Sequence, residues 1–268
     1  RLIATRFANV AQPHHVGGPM MARTQISFEA EPVRGSWSPK GDVLVVSKDV
    51  GGNEFFQLHT LKDGRLTLLT DGKSRNSFGA WSPDGQWVAY SSTRRNGTDN
   101  DLYLIDPRNR ASDRLVAQVK GGGWMIQAIA HDNSRALVAE YISVTKTNLH
   151  ILDLKSGRMT PIGDQSRAIA YGGGAFAPDG NIWVTSDEGS DFKRLGVIDP
   201  ATGKFTPKTT EPKWDVDEFA LADDGSFIAY GVNEAGTSRI KLMDVKTGTV
   251  RVVDGLPVGV AGSIQIAP

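Results

Sequence analysis

The chain has 268 residues, 39% of them hydrophobic and 22% charged, so it can bury a core and is not disordered by composition. Its 30 Lys and Arg balance 30 Asp and Glu, which argues against a nucleic-acid or anionic-membrane partner, because either needs a basic field. Cysteine is absent, excluding disulfides, thiolate zinc sites and a cysteine nucleophile, and no apolar run approaches the roughly 18 residues that span a bilayer.

The chain opens inside an apparent strand, RLIATR (1–6), without an initiator Met or a signal peptide, so an upstream piece is expected to have been removed. RLIATR, AQPHHV (11–16) and RTQISF (23–28) read as strands two to four of a four-stranded unit. A repeat then takes over. Its copies are SWSPKGD, AWSPDGQ, AIAHDNS, AFAPDGN, ALADDGS and a truncated QIAP, aligned on Trp37, Trp81, Ile129, Phe176, Leu221 and Ile266. The anchors lie 44, 48, 47, 45 and 45 residues apart, a pitch that marks stacked or radial architectures.

The second full unit shows the internal plan. A strand enters Trp81, Pro83–Gly85 turns the chain, and QWVAYSS (86–92) follows. The loop TRRNGTDN (93–100) leads to DLYLID (101–106), and the turn PRNRAS (107–112) leads to DRLVAQV (113–119). Later units repeat this as NIWVTS, RLGVID and GKFTPK, then as SFIAYG, RIKLMD and GTVRVV. Short β-rich runs punctuated by Gly, Asp, Asn and Pro predict hairpins, and no useful 3.6-residue apolar period occurs.

The expected fold is all-β, a β-propeller of four-stranded blades with five full blades and a composite or partial sixth. Blades are placed at about 1–29, 33–72, 78–119, 126–165, 173–210 and 217–255, with 262–268 the first strand of a further or closing blade. Either that last strand completes the first blade, or the chain is a piece of a larger propeller.

The repeats resemble those of TolB-like, PD40-type propellers. SKDVGGNEFFQLHTL (47–61), LLTDGKSRNS (68–77), SSTRRNGTDNDLYLIDP (91–107) and GLPVGV (255–260) resemble more closely the propeller of bacterial prolyl oligopeptidase-type (S9) serine peptidases, the dipeptidyl and acylaminoacyl peptidases. The resemblance covers essentially the whole chain. It implies a propeller that precedes a C-terminal α/β-hydrolase domain carrying a Ser-Asp-His triad, caps that active site and admits small peptides. It also implies seven or eight blades, often without a latching strand, which favours the larger-propeller account, and periplasmic rather than cytoplasmic placement. The implied partners are the hydrolase domain and a peptide substrate, with no nucleic acid and no membrane.

Chemistry within the chain itself is not expected. No G-x-S-x-G pentapeptide occurs, so no residue is assigned as catalytic. His14, His15, His59, His131 and His150 lack metal-ligand spacing, and no metal or other cofactor is assigned. TDND (98–101) reads as a solvated loop rather than a Ca²⁺ loop. Gly121–Gly123 and Gly172–Gly174 lack the residues of a phosphate loop and read as crossings between blades. EPKWDVDEF (211–219) reads as a hydrated linker, although it could attract a peptide amine.

The connections differ in kind between the two expected faces. Turns after strands one and three are short and generic, such as PDG, KDG, KSG, ATG and KTG. Loops after strand two are longer and richer: KDVGGNE (48–54), TRRNGTDN (93–100), EYISVTKTN (140–148), DEGSDFK (187–193) and NEAGTS (233–238). This second face is expected to meet substrate or the hydrolase domain. Its candidates are Lys48, Asp49, Asn53, Glu54, Arg94, Arg95, Asn96, Glu140 and Tyr141. Arg94 or Arg95 could hold a carboxylate by a bidentate contact, or could instead pair with Asp99 or Asp101 in its own loop. A stand-alone TolB-like propeller that binds protein or peptide is the alternative reading.

Overall fold

The computed structural model describes residues 2–7, 10–17, 22–210 and 213–266. Among them every regular element is a β-strand. The first sheet has three strands, β1 (Leu2–Phe7), β2 (Val10–Gly17) and β3 (Ala22–Gln25). The second contains β4 (Arg34–Trp37), β5 (Leu44–Lys48), β6 (Gln57–Lys62) and β7 (Arg65–Leu68). The third contains β8 (Asn76–Trp81), β9 (Val88–Ser92), β10 (Asp101–Asp106) and β11 (Asn109–Ala117). The fourth contains β12 (Trp124–Ile129), β13 (Arg135–Ser143), β14 (Lys146–Asp153) and β15 (Met159–Ile162). The fifth contains β16 (Tyr171–Phe176), β17 (Ile182–Ser186), β18 (Arg194–Ile198) and β19 (Phe205–Pro207). The sixth contains β20 (Val216–Leu221), β21 (Phe227–Glu234), β22 (Thr237–Asp244) and β23 (Val250–Val252). In every sheet, strands adjacent in sequence are adjacent in space.

The chain divides into two compact units, 1–126 and 127–268, with the boundary inside β12. In the first unit, β5 serves two cores. Leu44 and Val46 face Val33 and Leu61, while Val45 joins Leu58, Leu69, Val88, Tyr90, Tyr103 and Ile105. In the second unit, Leu137, Ala139 and Leu149 pack with Phe176, Ile182 and Val184, and Trp183 and Leu195 pack with Ile228, Tyr230 and Val232. Middle strands are therefore buried on both faces, and β9 and β17 are buried along their whole length. This is why VAYSS and IWVTS show no clean polar alternation. Fourth strands such as β23 are exposed.

The repeated turn after each first strand has one backbone plan. The amides of Ser38, Ser82, Ala130, Ala177 and Ala222 donate across the turn, and their carbonyls accept from Gly41, Gly85, Asn133, Gly180 and Gly225. Those five donor residues, Gly41 to Gly225, all have positive φ, between 56° at Asn133 and 87° at Gly180. Asn tolerates the left-handed region better than most side chains, which explains the one exception to Gly. In AWSPDGQW the Ser82 hydroxyl donates to Asp84 at 2.6 Å and accepts from the Trp87 amide at 2.8 Å. Ser82 and Asp84 are turn residues here.

First strands β8, β16 and β20 each carry a bulge, between Phe78 and Ala80, Tyr171 and Gly174, and Val216 and Glu218. At the first of these a Cβ on Gly79 would lie 2.6 Å from the Ile126 carbonyl oxygen, so only glycine fits. Gly172–Gly174 are part of β16 rather than of a crossing. Two further expectations need correction. EYISVTKTN and NEAGTS are not open loops, because β13–β14 and β21–β22 stay paired out to Ser143↔Lys146 and Glu234↔Thr237. Residues 253–266 form no strand, so the first strand placed at 262–268 is not realised within 262–266, and 267–268 lie outside the described residues.

Candidate functional site

Connections at the loop-bearing edge of the first unit are held by side-chain hydrogen bonds. Gln57, at the start of β6, is its buried hub. Its amide nitrogen donates to the Phe55 and Ser74 carbonyls, while its oxygen accepts from Thr70, Gly72 and Asn76. Thr70 also accepts the Leu58 amide at 3.1 Å, closing the end of the fourth strand onto the third. Gln12 and Ser27 repeat part of this arrangement in the first sheet, and Thr209 accepts the Leu195 amide in the fifth.

Lys48 ends β5 and is only 12% exposed in its side chain. It lies 2.6 Å from Glu29 and 3.1 Å from Glu31, two carboxylates that sequence reasoning did not single out. Lys48 and the Gly51 amide hold Glu31 below the usual carboxylate range. Asp49 is buried and accepts the Glu54 amide at 2.9 Å, which fixes Glu54 at a φ of 62°. Asn53 accepts the Phe55 amide. These candidates shape loop 49–56.

The two adjacent arginines have different fates. Arg95 donates Nε to Asp101 at 2.5 Å and Nη2 to Asp99 at 2.8 Å and to the Val119 carbonyl at 3.0 Å. Asn96 joins it through Asp99 at 2.7 Å. Of the two readings for Arg95, the loop-internal pair is the one formed. Arg94 instead leaves its loop, lies 3.7 Å above the Tyr103 ring and pairs with Asp113 on β11. Tyr90, fully buried, donates its hydroxyl to the same carboxylate at 2.6 Å. Burial first, then Asp113, raises the Tyr90 phenol above its ordinary range. Arg94 is raised too, Asp113 and Tyr103 outweighing burial.

In the second unit, Glu140 accepts from Asn148 at 2.8 Å and lies 3.9 Å from His150. Burial lowers the His150 pKa, with Glu140 opposing. Tyr141 is half exposed on the β13–β14 ribbon, near exposed Ile142 and Val144. The structure thus gathers Lys48, Asp49, Asn53 and Glu54 into one neighbourhood and Arg95 and Asn96 into another. Among the described residues no cluster of three His, Cys, Asp or Glu is placed to hold a metal.

No family model matches the chain. It is similar to dipeptidyl-peptidase 5 of Porphyromonas gingivalis, 25% identical over 180 residues, which are 65% of this chain and 20% of that protein. A prolyl endopeptidase structure superposes with a TM-score of 0.70 at 15% identity, over 93% of this chain and 40% of that one. A TolB structure from Agrobacterium tumefaciens superposes with a TM-score of 0.66 at 18% identity, over 89% of this chain and 86% of that one. The chain has a β-propeller fold. As a propeller it spans a minority of both peptidases, 20% and 40% of their lengths.

Proposed function

We propose that this propeller is the non-catalytic N-terminal domain of an S9-type serine peptidase, dipeptidyl or acylaminoacyl in kind. In this reading it gates peptide access and docks on an α/β-hydrolase domain outside this chain. The carrying observation is the asymmetry of its connections. One edge of the sheets has generic turns, while the other carries loops fixed by Gln57, Asp49, Arg95 and Asp101. A rigid scaffold presenting ordered polar loops suits recognition, and ordering that precedes binding lowers its entropic cost. Similarity to dipeptidyl-peptidase 5 and to a prolyl endopeptidase with inter-domain dynamics supports the same reading. Periplasmic placement belongs to this proposal.

The chain alone is expected to release no product from chromogenic dipeptidyl and acylaminoacyl substrates, and turnover would overturn the non-catalytic role. The gene is expected to continue in frame beyond Pro268 into a G-x-S-x-G sequence. A stop codon there would favour the second reading, a TolB-like propeller that binds protein or peptide. That reading draws on the 86% coverage of the TolB structure.

A further inference from the structure

We infer that Arg75, laid across Phe55, forms with Phe56 and Val50 a subsite for the free C-terminal carboxylate of a peptide with an apolar last residue. This inference rests on the peptide-gating reading above and names the part of the ligand that the loop edge takes. Three cations at this edge are already neutralised: Lys48 by Glu29 and Glu31, Arg94 by Asp113, and Arg95 by Asp99 and Asp101. Arg75 differs. Its guanidinium carbon lies 4.8 Å from the Phe55 ring centroid, and among the described residues no carboxylate lies within ion-pairing distance of it. Arginine stacked on an aromatic ring keeps its in-plane N–H groups available for a bidentate contact.

The platform beneath it is fixed on both sides. The Arg75 amide donates to the Thr93 hydroxyl at 3.2 Å, and its carbonyl accepts the Thr93 amide at 3.0 Å. Buried Asn76 donates its side-chain amide to the Phe56 carbonyl at 3.0 Å, tying the arginine segment to the phenylalanine segment. Phe55, Phe56 and Val50 are 39%, 38% and 67% exposed, so the loop that supplies the Phe55 platform also presents apolar side chains to solvent. A carboxylate alone would gain little over water at such an exposed site. An apolar side chain beside it excludes solvent and strengthens the charge-assisted bonds.

The test is binding of N-acetyl-Ala-Ala-Phe, as free acid and as C-terminal amide, to the 268-residue chain by titration calorimetry. The acid is expected to bind about tenfold tighter than the amide, the scale of a charge-assisted hydrogen bond. R75M should remove that preference, R75K should keep part of it, and both should retain the wild-type melting temperature. Equal binding of acid and amide would overturn the carboxylate subsite while leaving peptide gating intact. A preference that survives in R75M would overturn the assignment to Arg75. Absence of binding by either peptide would overturn both this inference and the peptide reading beneath it. Displacement by an equal concentration of inorganic phosphate would mark a general anion site and overturn the peptide assignment.

Discussion

Arg94 and Arg95 are neighbours in sequence, yet Arg94 reaches Asp113 within the body of its sheet while Arg95 ties its loop to Asp101 and to the Val119 carbonyl at the sheet edge. Removing the Arg94 partner should therefore be felt globally. Asp113→Asn should cost about 1–3 kcal/mol in urea unfolding, less than the ~3–5 kcal/mol of a fully buried pair, because a quarter of the Arg94 side chain remains in solvent. A loss below about 0.5 kcal/mol would class the pair with ordinary surface bridges. Thr70 offers a second measure. Thr70→Val keeps its shape but deprives the Leu58 amide of an acceptor in a buried place, so about 1–3 kcal/mol should be lost. A neutral result would mean that the amide finds another partner. Arg95 with Asp101 was legible in sequence because the partners are 6 residues apart. Arg94 with Asp113, and Lys48 with Glu29, were not, because each pair is separated by 19 residues and meets only through sheet packing. Arg75 was hidden for the same reason, since Phe55 reaches it from the preceding sheet.

At the level of elements, the repeated turn makes strand boundaries readable. Its left-handed fourth position demands Gly or Asn wherever it occurs. Asn133→Ala should therefore destabilise by about 1 kcal/mol, whereas Asn133→Gly should stay within about 0.5 kcal/mol of the parent. Equal losses for both would show that the side chain, not the backbone angle, matters there. The sequence was less readable where no such device operates. EYISVTKTN looks like a loop because its residues are mixed and exposed, but backbone pairing from Tyr141↔Thr147 to Ser143↔Lys146 needs no buried face. Gly172–Gly174 look like a flexible crossing, yet they occupy a bulged first strand. In both places the ladder overrides local composition.

Across the whole molecule, each unit carries a histidine whose neutral form is favoured, His59 partly buried and His150 buried. Burial and Lys48 lower His59, against the Gln57 carbonyl and Glu29, while burial lowers His150 against Glu140. A histidine lowered in the folded state stabilises fully above its unfolded pKa of about 6.5, and that contribution is lost as pH falls through the lower folded value. Melting temperature should thus decline between about pH 7 and pH 5. The double variant H59Q/H150Q should flatten the slope in that window. An unchanged slope would assign it to other groups. Lowered aspartates such as Asp42, held at about 2 by Ser38 and Arg108, act only at more acidic pH. The strand order has a consequence for synthesis. Each sheet is a meander of neighbours in chain order, so its ladder needs no residue still to be translated. A sheet can close once its own stretch of roughly 45 residues has left the ribosome, and nascent chains should gain protease resistance in steps of that length.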